Sequence, residues 1–215
     1  MELFLSLLAV GVVFLYFYIY SPSLIGATGE RRVSATLSTK LNDSDYIFVN
    51  DIILPTKEGT TQIDHIVLSR FGIFVIETKN MSGWIFGGER QACWTQVMRR
   101  HKSKFENPLR QNYLHVQVVQ NLLDVEPSQI ENLVAFVGSA KPKTEMPPNV
   151  FWNKTALYKY LASQRTVLFT DYQLRDFAYK LQSSALEANK ETRRHQKKHV
   201  REKKYPKGNC PTHFP

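Results

Sequence analysis

The stretch DHIVLSRFGIFVIETK, residues 64–79, holds two short apolar runs joined by a tight Arg70–Gly72 connection. Its Ile, Val and Phe suit a pleated, packed surface, so Ile63–Leu68 and Ile73–Thr78 read as consecutive strands. Side chains alternate across a strand, which sets Glu77 and Lys79 on one face with Ile73 and Val75, and Phe74, Ile76 and Thr78 on the other. Both faces of the second run are apolar, the pattern of a central strand covered by helices on each side.

Outward from that core, Tyr46–Leu54 reads as a preceding strand ended by Pro55, with Lys57–Thr61 around Gly59 as the turn. Three strands with short links make a meander. Before it, Gly26–Leu41 carries Val33, Leu37 and Leu41 at helical spacing and opens with Gly29 and Glu30. Glu30 lies on the same face as Val33. It either answers the helix N-terminal dipole or brings a further carboxylate inward.

After the meander, Gly83–Val97 reads as a hairpin in which Trp84 and Trp94 are packing residues, with base stacking as the alternative. Asn107-Pro108 starts a helix by cap and first-turn proline. That helix presents Leu109, Tyr113, Val116, Val119 and Leu123 on one face and Gln111 with His115 on another, His115 reading as a surface or packing histidine. Glu131–Gly138 is a fourth strand, residues 141–149 with three prolines a loop, and Thr166–Phe169 a fifth strand. Thr170 then opens a helix in which Gln173 completes a capping box and Leu174, Phe177, Leu181 and Ala185 face inward. No internal repeat is present.

The net charge of +9 on 215 residues is local. Residues 187–207 carry net +6 and residues 97–110 net +4, leaving −1 for the rest. Such stretches suit phosphates or anionic lipid, or form a solvated basic face or tail. Two distant cysteines, Cys93 and Cys210, exclude a disulfide framework and a cysteine-rich zinc site, which fits a reducing compartment.

Leu3–Tyr20 is eighteen residues without a charge, about 27 Å as a helix and close to a bilayer's hydrocarbon thickness. No Lys or Arg precedes it and no small-residue cleavage site follows, so it reads as an uncleaved anchor rather than a signal peptide. Tyr16, Phe17, Tyr18 and Tyr20 would form an interfacial belt, and Arg31, Arg32 and Lys40 after the span predict a single-pass protein with its body facing the cytoplasm. The expected organisation is an anchor at 1–22, an α/β domain at 26–185 and a basic tail at 186–215.

An acid on the second strand of the meander and Glu77 with Lys79 on the third meet the needs of metal-dependent phosphodiester hydrolysis. That reaction passes through added negative charge, which calls for carboxylates to hold a divalent cation and one fixed positive group beside the attacking water. Asp64, Glu77 and Lys79 supply these pieces. The bland alternative is an exposed ion pair at a strand end.

The order helix, three-strand meander, helix, strand, with acids on the second and third strands, resembles the restriction-endonuclease-like core of PD-(D/E)xK nucleases. More closely, residues 26–123 resemble a nuclease-related (NERD) domain. The residues that carry this are Gly26-Ala27-Thr28-Gly29-Glu30, Asn50-Asp51, Gly59–His65, Gly72–Lys79, Gly83–Gly87, Trp94 and Asn107–Gln111. The resemblance implies that Asp64 and Glu77 bind a cation, Mg²⁺ with Mn²⁺ as substitute, and that Lys79 orients or activates water. It also implies that Glu30 assists at the metal and that Gln111 stands near the site. The implied substrate is nucleic acid, DNA in preference to RNA. Some relatives carry a four-cysteine zinc ribbon at the C-terminus; this chain, with Cys210 alone there, has none. The alternative on the same fold is a non-catalytic, membrane-anchored module that binds nucleic acid or protein.

Overall fold

The computed structural model describes residues 22–41, 44–187 and 192. The expected membrane span at residues 3–20 and nearly all of the basic tail lie outside the described residues. Among those described, no helix is long and apolar enough to cross a membrane.

The chain runs α1 (Pro22–Lys40), β1 (Tyr46–Thr56), β2 (Gly59–Ser69), β3 (Gly72–Lys79), β4 (Trp84–Phe86), β5 (Cys93–Met98), β6 (His101–Glu106), α2 (Pro108–Leu123), β7 (Ile130–Phe136), β8 (Lys141–Pro142), β9 (Val150–Phe151), α3 (Lys154–Ser163) and α4 (Asp171–Ser184). β1, β2 and β3 form the antiparallel meander, and β7 and β9 extend the sheet in parallel, in the order β1-β2-β3-β7-β9. This is the expected mixed α/β arrangement. Pro55 does not end β1 but pairs with Thr60, which is tolerated because β1 is an edge strand whose missing N–H need serve no neighbour.

β3 is buried from Gly72 to Thr78, as its two apolar faces require. On one face Ile73 and Val75 pack in a cluster with Val116, Val119 and Leu123 of α2 and Leu174, Phe177 and Leu181 of α4. On the other, Phe74 and Ile76 meet Val33 and Leu37 of α1 and Leu157 and Leu161 of α3. α3 has no counterpart in the expectations from sequence, although Asn153 caps it by accepting the Ala156 N–H and Leu157 with Leu161 gives the helical spacing. Thr166–Phe169 is not a strand. The Leu168 and Phe169 N–H groups donate to the Arg70 carbonyl, so an extended segment docks on a turn rather than on a sheet edge. α4 carries the expected capping box between Thr170 and Gln173.

α1 starts at Pro22, eight residues before Glu30. The helix-dipole effect fades within the first turn, so it does not account for this acid. A Cβ on Gly29 would come within 2.7 Å of the Asn80 Cβ, and it is this close approach that seats α1 against the end of β3.

The remaining strands form a second sheet, β6-β5-β4-β8, with β4, β5 and β6 antiparallel. Its inner face is fastened to β7 by aromatic packing: the Trp94 ring stacks on Phe136 at 6.1 Å, and Phe136 on Trp152 at 4.5 Å. Gly87 leaves room for that ring, since a Cβ there would meet Trp94 at 2.4 Å. The expected basic segment after the hairpin is therefore a strand, with Arg99 and Arg100 in the turn and Lys102 and Lys104 exposed on β6. Cys93 is disulfide-bonded.

Because Phe74 is fully enclosed between β3 and two helices, Phe74→Ala is expected to cost about 3–5 kcal/mol in denaturant unfolding. Tyr179→Ala, on the exposed side of α4, is expected to stay within about 0.5 kcal/mol of wild type.

Candidate active site

The site forms where the meander's hydrogen-bond ladders lapse. β1 and β2 pair in one register from Tyr46–Ser69 to Thr56–Gly59 but skip the position where Asp51 opposes Asp64. Asp51 there has φ 54, the left-handed region that a side chain seldom adopts without local support. The Gln62 amide supplies that support, donating to Asp51 Oδ1 at 2.6 Å. β2 and β3 pair as far as His65–Ile76 and then part. The Thr78 N–H, left without a strand partner, donates to Asp64 Oδ2 at 2.8 Å. Asp64 is thereby fixed beside the end of β3, on the face that looks toward α2.

On β3, Glu77 is 4% exposed and holds the centre of a three-residue network. Its Oε1 accepts from Lys79 Nζ at 2.6 Å and from Gln111 Nε2 at 2.8 Å. Gln111 Oε1 in turn accepts from Lys79 Nζ at 2.8 Å, which closes the triangle. Glu77 Oε2 is buried and has no hydrogen-bond partner. A buried carboxylate oxygen left this way is costly unless another group satisfies it.

α2 is tied to the sheet so that Gln111 stays in reach. Asn107 caps it by accepting the Leu109 N–H, and its amide donates to the carbonyls of Glu89 and Gln91 in the loop before β5. One turn on, the Asn112 amide donates to the Val75 and Leu133 carbonyls and to Asn132 Oδ1, bridging β3 and β7. Asn112 takes the inward place expected for Tyr113, which is exposed. His115 is neither on the surface nor simply packed: it is buried, with Nδ1 3.2 Å from Asn112 Oδ1 and 3.8 Å from Glu77 Oε2. Burial lowers its pKa, against the pull of Glu77, so the ring is neutral and the contact with Glu77 is not an ion pair. An Asn oxygen only accepts, so Nδ1 carries the hydrogen.

The charges are unbalanced in an informative way. Burial, then the charges of Glu77 and Glu30, push Asp64 well above the usual carboxylate range. Burial alone would lower Lys79, but Glu77 outweighs it through its charge and hydrogen bond, with help from Asp64, and holds the ammonium protonated. The structure thus joins Glu77, Lys79 and Gln111 directly, sets Asp64 on the adjacent strand, and leaves Glu30 acting on Asp64 through its charge. Asn112 and His115 were not anticipated in these roles. The signal for Asn112 was a polar residue in the otherwise apolar series 112, 116, 119, 123.

Among the described residues no three His, Cys, Asp or Glu side chains come together closely enough to hold a metal by themselves. The donors present are hard carboxylate oxygens, one of them orphaned, and Asp64 sits in the negative potential of Glu77 and Glu30, which disfavours its own ionisation until a cation offsets it. They suit a cation that takes one or two carboxylates and keeps several waters.

The chain belongs to the nuclease-related domain family, whose model matches residues 25–137, a segment that holds Glu30, Asp64, Glu77, Lys79 and Gln111. The family is PD-(D/E)xK-like, in keeping with the acids on β2 and β3 and the Lys two residues after Glu77. The chain is also similar to an uncharacterized protein of Bacillus anthracis, 37% identical over 184 residues that cover 84% of each chain. No solved structure matches it.

A carboxyl whose folded pKa is raised binds its proton more readily in the native state than in the unfolded one. Stability from Asp64 is then greatest in acid and declines as pH rises from about 3.8 through its folded pKa. Metal-free Asp64→Asn is therefore expected to melt higher than wild type at pH 7 and to lose that advantage near pH 3. Thermal melts in chelator at the two pH values check this.

Proposed function

We propose that this protein is a Mg²⁺-dependent nuclease that hydrolyses phosphodiester bonds of nucleic acid, DNA in preference to RNA, with Mn²⁺ able to replace Mg²⁺. The observation that carries the reading is the buried Glu77–Lys79–Gln111 triangle with Asp64 beside it in the negative potential of Glu77 and Glu30. Asp64 and Glu77 would hold the cation. Bound there, it would lower the pKa of a water and take charge off the phosphate.

The chain's own groups do the rest. Lys79, kept protonated by Glu77, offers a fixed positive charge where a phosphate gains negative charge, so its part is to stabilise and orient rather than to abstract a proton. Gln111 holds both Lys79 and Glu77 and so sets where that ammonium points. Neutral His115, braced by Asn112, closes the inner side of Glu77 without competing for its charge. Glu30 adds negative potential at Asp64, which favours a cation there.

In this reading residues 3–20 anchor the protein in the bilayer with its domain toward the cytoplasm, on the strength of the uncharged run and the basic residues after it. The anchor restricts the substrate to nucleic acid that reaches the membrane surface. A non-catalytic binding module on the same fold is the second reading, favoured by the lack of a three-residue ligand cluster among the described residues.

Purified protein is expected to cleave DNA with Mg²⁺ and to be inert in chelator. Glu77→Ala and Lys79→Ala should each lower the rate by about 10²–10³ or more. Wild-type rates in both variants would remove the assignment, and DNA binding without cleavage under any divalent metal would establish the second reading.

A further inference from the structure

The two tryptophans of the second sheet have opposite fates. Trp94 is fully buried against Phe136, whereas Trp84 is 51% exposed on the other face. Strand pairing fixes what surrounds it. Trp84 lies opposite Val97, and Val97 opposite Lys102; one step along, Phe86 lies opposite Thr95, and Thr95 opposite Lys104. On the other side of β4, Lys141 of β8 pairs with Trp84, and Lys143 sets its ammonium 4.7 Å from the Trp84 ring centre. Lys102, Lys104, Lys141 and Lys143 are all exposed. Among the side chains that the ladder puts on this face, Glu106 is the one acid, at the far end opposite Cys93.

We infer that this outer face is a platform for single-stranded nucleic acid, on which Trp84 stacks an unpaired base while the flanking lysines take the phosphates. Neighbouring strands lie about 4.8 Å apart, so Lys102, two strands from Trp84, stands roughly 10 Å from it and Lys141 on the opposite side about half that. An aromatic ring between two basic edges is the arrangement that sequence-tolerant single-strand binding needs. A duplex keeps its base faces stacked and cannot use an exposed indole this way. A protein partner is disfavoured by composition, since interface centres are poor in lysine. An anionic bilayer would use the lysines, but one indole offers little apolar area to bury. The Lys143 contact is no obstacle: cation–π pairing at an exposed site is weaker than base stacking, so an arriving base displaces the ammonium and frees it for phosphate.

The platform deepens the nuclease reading, on which it rests, by naming the form of the substrate. Trp84 follows Lys79 by five residues, at most about 18 Å of chain, so the platform and the site lie within reach of one bound strand.

The test uses the full chain in chelator, so that no cleavage intervenes, and measures anisotropy of labelled dT and rU oligomers, a duplex, and vesicles containing phosphatidylserine. Trp84→Ala is expected to weaken single-strand binding roughly five- to 150-fold with little effect on the duplex, and Trp84→Phe to restore most of it. Lys102→Ala with Lys104→Ala is expected to lower the slope of log affinity against log salt by about 1.4. Either oligomer responding in this way supports the platform and identifies the strand type. Wild-type single-strand binding in Trp84→Ala overturns it, as does an equal loss for the duplex or a loss confined to vesicles. Mg²⁺-dependent cleavage that survives in a wild type whose Trp84→Ala form binds normally would leave the nuclease reading intact and this inference refuted. The reverse pattern, a Trp84-dependent single-strand affinity with no cleavage, would refute the nuclease reading alone.

Discussion

A carboxylate buried at the end of a strand with no solvated face is the constraint on which this fold depends. Glu77 cannot be taken out of water without compensation, and an unpaired buried charge would cost several kcal/mol. Lys79 lies on the same face two residues on and reaches Oε1, but one ammonium does not satisfy the group. Gln111 has to come from α2, and α2 has to be held in place for it to do so. Asn112 fixes the helix to β3 and β7, Asn107 fixes its start, and the loop that Asn107 holds also accepts the Trp94 indole N–H at the Gly88 carbonyl. The orientation of the second sheet therefore follows, through two asparagines, from the need to pair one glutamate.

The same network leaves something undone. Glu77 Oε2 stays without a partner and Asp64 is raised by burial and by the charges around it, so the resting site carries an electrostatic cost that the core must offset. A structural ion pair would be selected against such a residue of unsatisfied charge, because a hydrophobic replacement at those positions would be more stable. Strain of this kind gathers where a group is prepared for a ligand of opposite charge. Lys79 fits the same logic: it is held positive by neighbours that also fix its direction, which suits charge stabilisation better than proton abstraction.

Much of this was legible in the sequence because it is local. The alternation of Ile73–Thr78 gave a central strand, Asn107-Pro108 a helix start, and Thr170 with Gln173 a capping box, each set by residues a few positions apart. Glu77, Lys79 and Asp64 were visible as charges at the ends of apolar runs. What was not legible depends on distant contacts. Pro55 stays in its strand because β1 is an edge, a fact of sheet order. Extended residues at 167–169 dock on Arg70 and so form no strand. Glu30 stood between a helix-start acid and a further inward carboxylate until α1 proved to begin at Pro22. His115 and Asn112 acquire their roles only when α2 is laid on β3, and the division between a buried Trp94 and an open Trp84 is decided by which face of a small sheet meets Phe136.

The central claim is that the Glu77–Asp64 pair is built to receive a divalent cation. Calorimetric titration of the protein with Mn²⁺ and Mg²⁺ near neutral pH tests it most directly, because it reads the cation itself and needs no substrate. The account predicts one cation per chain, lost in Glu77→Ala and weakened in Asp64→Asn. Titrations that show no binding, or the same binding in both variants as in wild type, would contradict it.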